Sequence, residues 1–325
     1  MRLLSTSEAI REALTEEMTR DERVFLMGED IGLYGGAFGV TRGMLDRFGP
    51  ERVVETPISE AGFVGLAIGA ALLERRPVVE IMFSDFVLLA MDQLVNHAAK
   101  FRYVYGPQAT VPLVVRVVGG AGRAYGPTHS QAVEAYFVHT PGIKVVAPAT
   151  PADAKGLLLA AIRDPNPVVF VENRILYPQK GEVPEGDAII PLGKAATVRA
   201  GSDVTVVAYS RMVHEALAAA GTLAAEGIEA EVIDLRTLSP MDSPAVIESV
   251  KRTGRAVLVE EGPRTAGVMA ELAARLAEEA LDYLDGPVTR LTMPDIPVPF
   301  SPVLEQAALP SRKDIVEAAR GLCSL

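Results

Sequence analysis

The stretch IKVVAPATPADAKGLLLAAIRDPNPVVFVE, residues 143–172, places two valine-rich runs on either side of a helical pattern. IKVVAP (143–148) and PVVFVE (167–172) are nearly continuous in apolar side chains, as strands buried on both faces are. PADAKGLLLAAIRD (151–164) between them reads as a helix. A strand, a helix and a second strand in this order imply a parallel sheet covered by helices.

The same alternation extends outward. RVFLMG (23–28), PVVEIMF (77–83) and VPLVVRVV (111–118) read as further buried strands, and MDQLVNHAAKFRY (91–103) reads as a helix. Between Tyr177 and Gly201 the pattern breaks into text rich in Pro, Gly and charge, then restarts. DVTVVAYS, IEAEVIDLR and RAVLVEE are strands; RMVHEALAAAGTLAAEG and AGVMAELAARLAEEAL are helices. The expectation is two α/β domains, 1–185 and 202–325, joined by a linker at 186–201.

Composition excludes several function classes. The chain has 325 residues, 49% of them hydrophobic, a formal charge of −11 and a single cysteine, Cys323. The acidic balance points away from nucleic acid and anionic membrane surfaces. One cysteine cannot build a disulfide scaffold or a Cys-rich zinc site, and it suits a reducing cytoplasm. The first residues, MRLLSTSEAIREALTEEM, read as a capped amphipathic helix and not as a signal peptide. The apolar run 61–73 is shorter than the roughly 20 residues of a membrane span.

Common catalytic signatures fail. In GGAGRAYG (119–126) a dinucleotide fingerprint would need a third glycine where Tyr125 stands. There is no GxxxxGK[ST] loop and no GxSxG elbow, and the four histidines lack metal-ligand spacing. Two residues stand out. Glu60 heads the apolar run in TPISEAGFVGLAIGAALLERRP (56–77). With Thr56 as N-cap and Pro57 at the first helical position, it would lie in the first turn, where a carboxylate suits the helix dipole without further purpose. However, Gly62, Gly65 and Gly69 form a bare stripe on the same helix, and each interior glycine costs roughly 0.5–1 kcal/mol relative to alanine. The stripe therefore suggests close packing, beside which a carboxyl would be poorly solvated and its proton retained. His129, after a Gly/Pro loop, reads either as a polar surface group or as an imidazole on a catalytic loop.

Several separated motifs then agree in order and spacing. GEDIG (from Gly28), VETPISEAGFVGLAIGAA, EIMFSDF, DQLVNHAAKFRY, HSQ, the 143–172 stretch, DIPVPF and KDIVEAAR together resemble the β subunit of 2-oxo acid dehydrogenase E1 components. The wording is most similar to the pyruvate and acetoin branches, with the branched-chain branch as the alternative and a non-catalytic assembly subunit of the same fold as a further one. The resemblance implies a thiamin diphosphate enzyme. Its fold would be two doubly wound domains, a pyrimidine-binding domain followed by a transketolase C-terminal-like domain. An α subunit would hold the diphosphate and Mg²⁺ through a GDG…N motif that this chain lacks. The partners implied are that α chain, in an α2β2 tetramer, and a lipoyl-bearing E2.

By the same resemblance Glu60 bonds N1′ of the aminopyrimidine and shares its proton. Glu29 is an acid near the cofactor, Ile58 and Ser59 flank the pyrimidine with Met82, and Phe86 packs against it. Phe83 and His129 face substrate, with His129 serving acyl transfer to the lipoyl arm. Core packing is the alternative for Phe83. Leu113, Ala161, Ile162, Asp164 and Asn166 resemble a potassium site, and a helix C-terminus ended by Pro165 explains them equally. Tyr125 and Pro127, before His129, reshape the acyl pocket relative to the family, so the substrate does not follow from the resemblance.

Overall fold

The structure, a computed structural model, describes residues 2–324. The chain forms two compact units. One contains the chain up to Gly119 together with Tyr136–Leu192, and the other contains Gly120–Ala135 and the chain from Gly193 onward.

In the first unit β1 (Arg2–Ser5) leads into α1 (Thr6–Arg20), whose start is fixed by a reciprocal cap between Ser5 and Glu8. There follow β2 (Val24–Gly28), α2 (Met44–Phe48), β3 (Val53–Glu55), α3 (Glu60–Leu72) and β4 (Arg76–Ile81). Next come α4 (Phe101–Tyr105) and β5 (Val114–Gly119), then α5 (Glu134–Val138), which starts in the other unit. β6 (Lys144–Val146), α6 (Pro151–Arg163), β7 (Val168–Asn173) and β8 (Lys180–Val183) complete the first unit.

The opening stretch is β6–α6–β7, with Lys144 opposite Val168 in parallel register. The strands run in the order β6-β7-β5-β4-β2-β3, all parallel. Helix α6 starts sharply because the Thr150 hydroxyl accepts from the Asp153 N–H and Pro151 needs no donor there. Its Leu157, Leu158 and Ile162 join Ile10, Leu14 and Met18 of α1 in one core cluster. Each fully buried side chain of this size contributes about 1.5–3 kcal/mol. β1 and β8 pair antiparallel, apart from the main sheet.

The second unit contains β9 (Ala196–Arg199), β10 (Val204–Ala208), α7 (Met212–Ala224), β11 (Ala230–Asp234) and β12 (Thr237–Ser239). It continues with α8 (Ser243–Thr253), β13 (Ala256–Pro263), α9 (Val268–Glu279) and β14 (Thr289–Met293), and ends in α10 (Pro302–Ala308) and α11 (Arg312–Cys323). Its sheet order is β14-β13-β10-β11-β9, parallel except for the antiparallel edge strand β9. Both units are thus the α/β sheets that the alternation predicts. No helix among the described residues is long and apolar enough to cross a membrane.

Three local expectations change. The helix 91–103 is a π-helical segment, Asp92–Ala98, followed by the short α4. Thr56 is not the cap of α3. Its N–H donates to the Gly28 carbonyl at 3.0 Å, so the sheet edge holds it, and the helix begins only at Glu60 with Ser59 as N-cap. Within 186–201, Ile190 and Leu192 pack on the first unit's core, and 196–199 form the edge strand β9.

Candidate active site

In the first unit the site is assembled where strands end. β2 runs out at Gly28, where a Cβ would stand 2.6 Å from the Glu80 carbonyl of the neighbouring strand, so glycine permits the close approach. Glu29 follows at once. Glu60 opens α3 and is only 4% exposed, with its carboxylate at the helix N-terminus as expected.

The structure brings these two carboxylates together. Glu29 is 7% exposed, and its Oε1 has no hydrogen-bond partner among the described residues. Burial, then the Glu60 charge, then Asp30 push its carboxyl up to about 7, against the Ser59 backbone N–H. Glu29 thus holds its proton more tightly than an ordinary carboxyl, because it is buried beside a second carboxylate. Ile58, at 81% exposed, and Ser59 lie on the surface beside Glu60.

Met82 and Phe83 lie just past the end of β4, and Phe86 lies in the 3₁₀ turn Ser84–Ala90. All three are half-buried. Phe83 meets Phe86 edge-on at 6.1 Å and Phe38 edge-on at 5.6 Å. The Arg174 guanidinium lies over Phe38 at 5.5 Å and over Phe83 at 5.9 Å. Phe38 and Arg174 escape sequence reading, since the aromatic cluster joins residues from three separate stretches.

Behind this wall is a buried ionic network that the sequence also signals. Arg116, 1% exposed, donates to Glu80 at 2.5 Å and in bidentate fashion to Glu172 at 2.6 and 2.8 Å. The Tyr177 hydroxyl donates to Glu172 at 2.5 Å. Burial pushes the Glu80 carboxyl up, opposed by Arg116. Each charge sits alone in an apolar strand, in PVVEIMF, VPLVVRVV and PVVFVE, a pattern that calls for an internal partner.

In the glycine stripe of α3, a Cβ at Gly69 would meet nothing within 4 Å, and one at Gly65 would meet only Gln93 Cγ, at 3.7 Å. Gly65 and Gly69 lie open among the described residues and line a groove of about 300 Å³ with Leu72, His97 and Phe101, whereas at Gly62 a Cβ would stand 2.7 Å from Ser59 Oγ.

Leu113, Ala161, Ile162, Asp164 and Asn166 come together at the end of α6. Arg76 Nη1 donates to the carbonyls of Ile162 (2.7 Å) and Asp164 (3.3 Å), and the Asp164 carboxylate pairs with Lys144. The Leu113 carbonyl accepts from Val168, that of Ala161 from Asp164, and the Asn166 side chain binds Asp164 and Arg102. Among the described residues no group of three or more His, Cys, Asp or Glu could hold a metal ion.

In the second unit His129 is half-buried, and its Nδ1 lies 3.0 Å from the Thr128 hydroxyl. Glu134 follows five residues on, and burial pushes its carboxyl up to about 8, helped by Glu261 and Glu260. Tyr209 donates to Glu260, which also accepts from the Val268 and Met269 N–H groups at the start of α9.

Residues 2–180 match the family "Transketolase, pyrimidine binding domain" and 193–315 match "Transketolase, C-terminal domain". A pyruvate dehydrogenase E1 component subunit beta of Rickettsia felis is 49% identical, covering 98% of each chain. The β subunit of an acetoin:2,6-dichlorophenolindophenol oxidoreductase of Cupriavidus necator is 48% identical over 98% of this chain and 97% of its own length. A mitochondrial pyruvate dehydrogenase E1 subunit beta-1 of Arabidopsis thaliana is 47% identical over 98% and 89%. Among solved structures, a split-gene transketolase described as an inactive β4 tetramer superposes with a TM-score of 0.81 at 26% identity, covering 99% of each chain. With both domain families matched in order and nearly half of all residues shared along almost the full length, the chain belongs to the β-subunit family of 2-oxo acid dehydrogenase E1 components.

Proposed function

We propose that this chain is the β subunit of a thiamin diphosphate-dependent E1, active with an α subunit in an α2β2 tetramer and serving a lipoyl-bearing E2 in the cytoplasm. The substrate class is pyruvate or acetoin. The relatives named for those substrates do not favour the branched-chain alternative. In the net reaction a 2-oxo acid loses its carboxylate as CO2. The acyl carbon is oxidised, and the lipoyl disulfide is reduced to one thioester and one thiol. With acetoin the bond to the carbinol carbon breaks instead, releasing acetaldehyde.

The observation that carries this reading is the carboxylate pair at the end of β2 and the start of α3. Glu60 is a buried acid at a helix N-terminus, and Glu29 offers an unpartnered buried oxygen. Together with the edge-on aromatic group of Phe83 and Phe86, they fit a flat ring bearing one basic nitrogen and an amino group. When bound, thiamin diphosphate supplies the electron sink that takes the electron pair released by C–C cleavage. Glu60 would hold a proton at the ring nitrogen, and Glu29 would be the second acid beside it. Ile58, Ser59, Met82 and Phe86 would wall the ring, while Phe83 and His129 would face substrate. Positioned acids and bases of this kind contribute roughly 10²–10⁴ in rate.

The α chain would bring the Mg²⁺ and diphosphate site, since GDG…N is absent here. The open part of the glycine stripe of α3, at Gly65 and Gly69, is our candidate for a subunit contact. For potassium, the carbonyls of Leu113, Ala161 and Ile162 each accept one hydrogen bond and keep a second lone pair, which a weakly hydrated cation could take. A higher unfolding temperature in KCl than in equimolar NaCl checks that site.

The test of the function is co-expression with its α chain. Dye reduction that depends on thiamin diphosphate is then measured with pyruvate, acetoin and 2-oxoisovalerate in parallel. Turnover with pyruvate or acetoin is expected. Turnover with 2-oxoisovalerate alone would transfer the chain to the branched-chain class. No turnover by a formed tetramer would overturn the enzymatic reading.

A further inference from the structure

The loop that carries His129 is held by a carboxylate from far along the chain. In the second unit Gly120, Gly122 and Ala124 all adopt left-handed backbone conformations, with φ of 90°, 100° and 56°. For an alanine this is a strained choice, and it persists where surrounding contacts dictate it. The contacts are explicit. Glu305 Oε1 accepts from the Gly122 N–H and Oε2 from the Ala124 N–H, each at 2.8 Å. Backbone N–H groups gathered in this way form an anion-binding hollow, here filled by a side chain of the same molecule. Glu305 stands in the first turn of α10, is 2% exposed, and makes charge-assisted bonds of the stronger kind.

Two further contacts fix the same loop. Arg211 donates to the Ala121 carbonyl at 3.3 Å while Glu261 holds that guanidinium at 2.8 Å. The Phe300 ring covers Gly126, where a Cβ would stand 2.4 Å from it. The His129 N–H then donates back to the Gly126 carbonyl at 3.4 Å. The chain from Ala121 to His129 is therefore pinned by contacts from α10, the segment before it and the turn before α7, with no helix or strand of its own.

We propose that Glu305 is a positioning residue whose carboxylate fixes the 120–128 loop and thereby sets the place of the His129 imidazole. This rests on the reading of His129 as the group that serves acyl transfer to the lipoyl arm.

The test uses the full chain co-purified with its α subunit. Glu305→Gln keeps the side-chain volume but turns one of the two acceptors into an amide nitrogen that cannot accept. Arg123, exposed on the loop, provides a tryptic probe. We expect cleavage at Arg123 to become about tenfold faster, and hydrogen exchange to accelerate within 120–126 while the rest of the chain is unchanged. Reduction of lipoamide should fall about tenfold, while dye reduction with the same substrate falls much less. A merely structural role would lower both rates together. Should the variant not fold, the wild-type chain still decides. The amide hydrogens of Gly122 and Ala124 should exchange at least tenfold more slowly than that of Arg123 between them, and equal rates would overturn the clamp. A loosened loop with normal lipoamide reduction would overturn the positioning role and leave the E1 reading standing. Failure of the wild-type enzyme to reduce lipoamide with any substrate would overturn both.

Discussion

At the scale of single residues, the chemistry turns on two buried acids. Glu60 is legible in the sequence because a lone carboxylate heads a long apolar run. Glu29 is legible only through the resemblance carried by GEDIG, and its pairing with Glu60 is not legible at all, since the two meet only once β2 and α3 are in place. Replacing Glu60 with Gln removes the charge and keeps the shape. Turnover should fall by about 10²–10⁴, with the elution volume of the tetramer unchanged. Near-normal turnover would remove Glu60 from the mechanism. Glu29 makes a separate prediction about stability. Its carboxyl is held at about 7 in the folded chain, above the usual carboxylate range near 4.3. Between those values the folded state binds more proton than the unfolded state. The contribution of Glu29 is thus complete in acid and is lost as pH rises through about 7. Thermal midpoints measured from pH 5 to pH 8 should therefore decline less in Glu29→Gln than in the wild type. A parallel decline would mean that Glu29 titrates normally.

At the scale of elements, the strands are readable in the sequence and their internal charges only half so. Valine-rich runs announce β4, β5 and β7, and a lone Glu or Arg within each announces an unmet need for a partner. Which charge pairs with which depends on strand order, β4 beside β5 beside β7, and that order is a property of the sheet. The network of Glu80, Arg116, Glu172 and Tyr177 carries one positive charge against two carboxylates, all buried. Arg116→Leu should destabilise the chain by about 3–5 kcal/mol, because it leaves both carboxylates buried without a countercharge, Glu172 keeping only the Tyr177 hydroxyl. Adding Glu80→Gln and Glu172→Gln to that variant should recover much of the loss, since no buried charge remains. Urea midpoints for the single and triple variants decide the matter, and equal losses would mean the cost is one of packing. The start of α3 teaches the opposite lesson. Threonine followed by proline is a good capping signal, yet Thr56 is claimed by the Gly28 carbonyl, and a tertiary hydrogen bond outranks a local preference.

At the scale of the whole molecule, the sequence reveals the two sheets because alternation stops and restarts, but not that a segment between β5 and α5 joins the second unit. Residues 120–135 are short and lack an element long enough to betray their allegiance, and only distant residues such as Glu305 hold them there. The glycine stripe of α3 poses a similar question about what lies beyond one chain. Its glycines cost helix stability, and within the chain nothing occupies the space at Gly69. A subunit packed closely against that face would explain both facts, and it separates two quantities that usually move together. Gly69→Leu should raise the stability of the chain measured alone by up to about 1 kcal/mol, as a good helix former replaces glycine where there is room. The same change should weaken assembly with the α chain or between β chains, because the added side chain stands where the partner's backbone would come closest. Urea unfolding of the isolated chain and sedimentation of the co-expressed enzyme measure the two effects. A more stable chain that assembles as tightly as the wild type would place the interface on another face and leave the glycine stripe without a role.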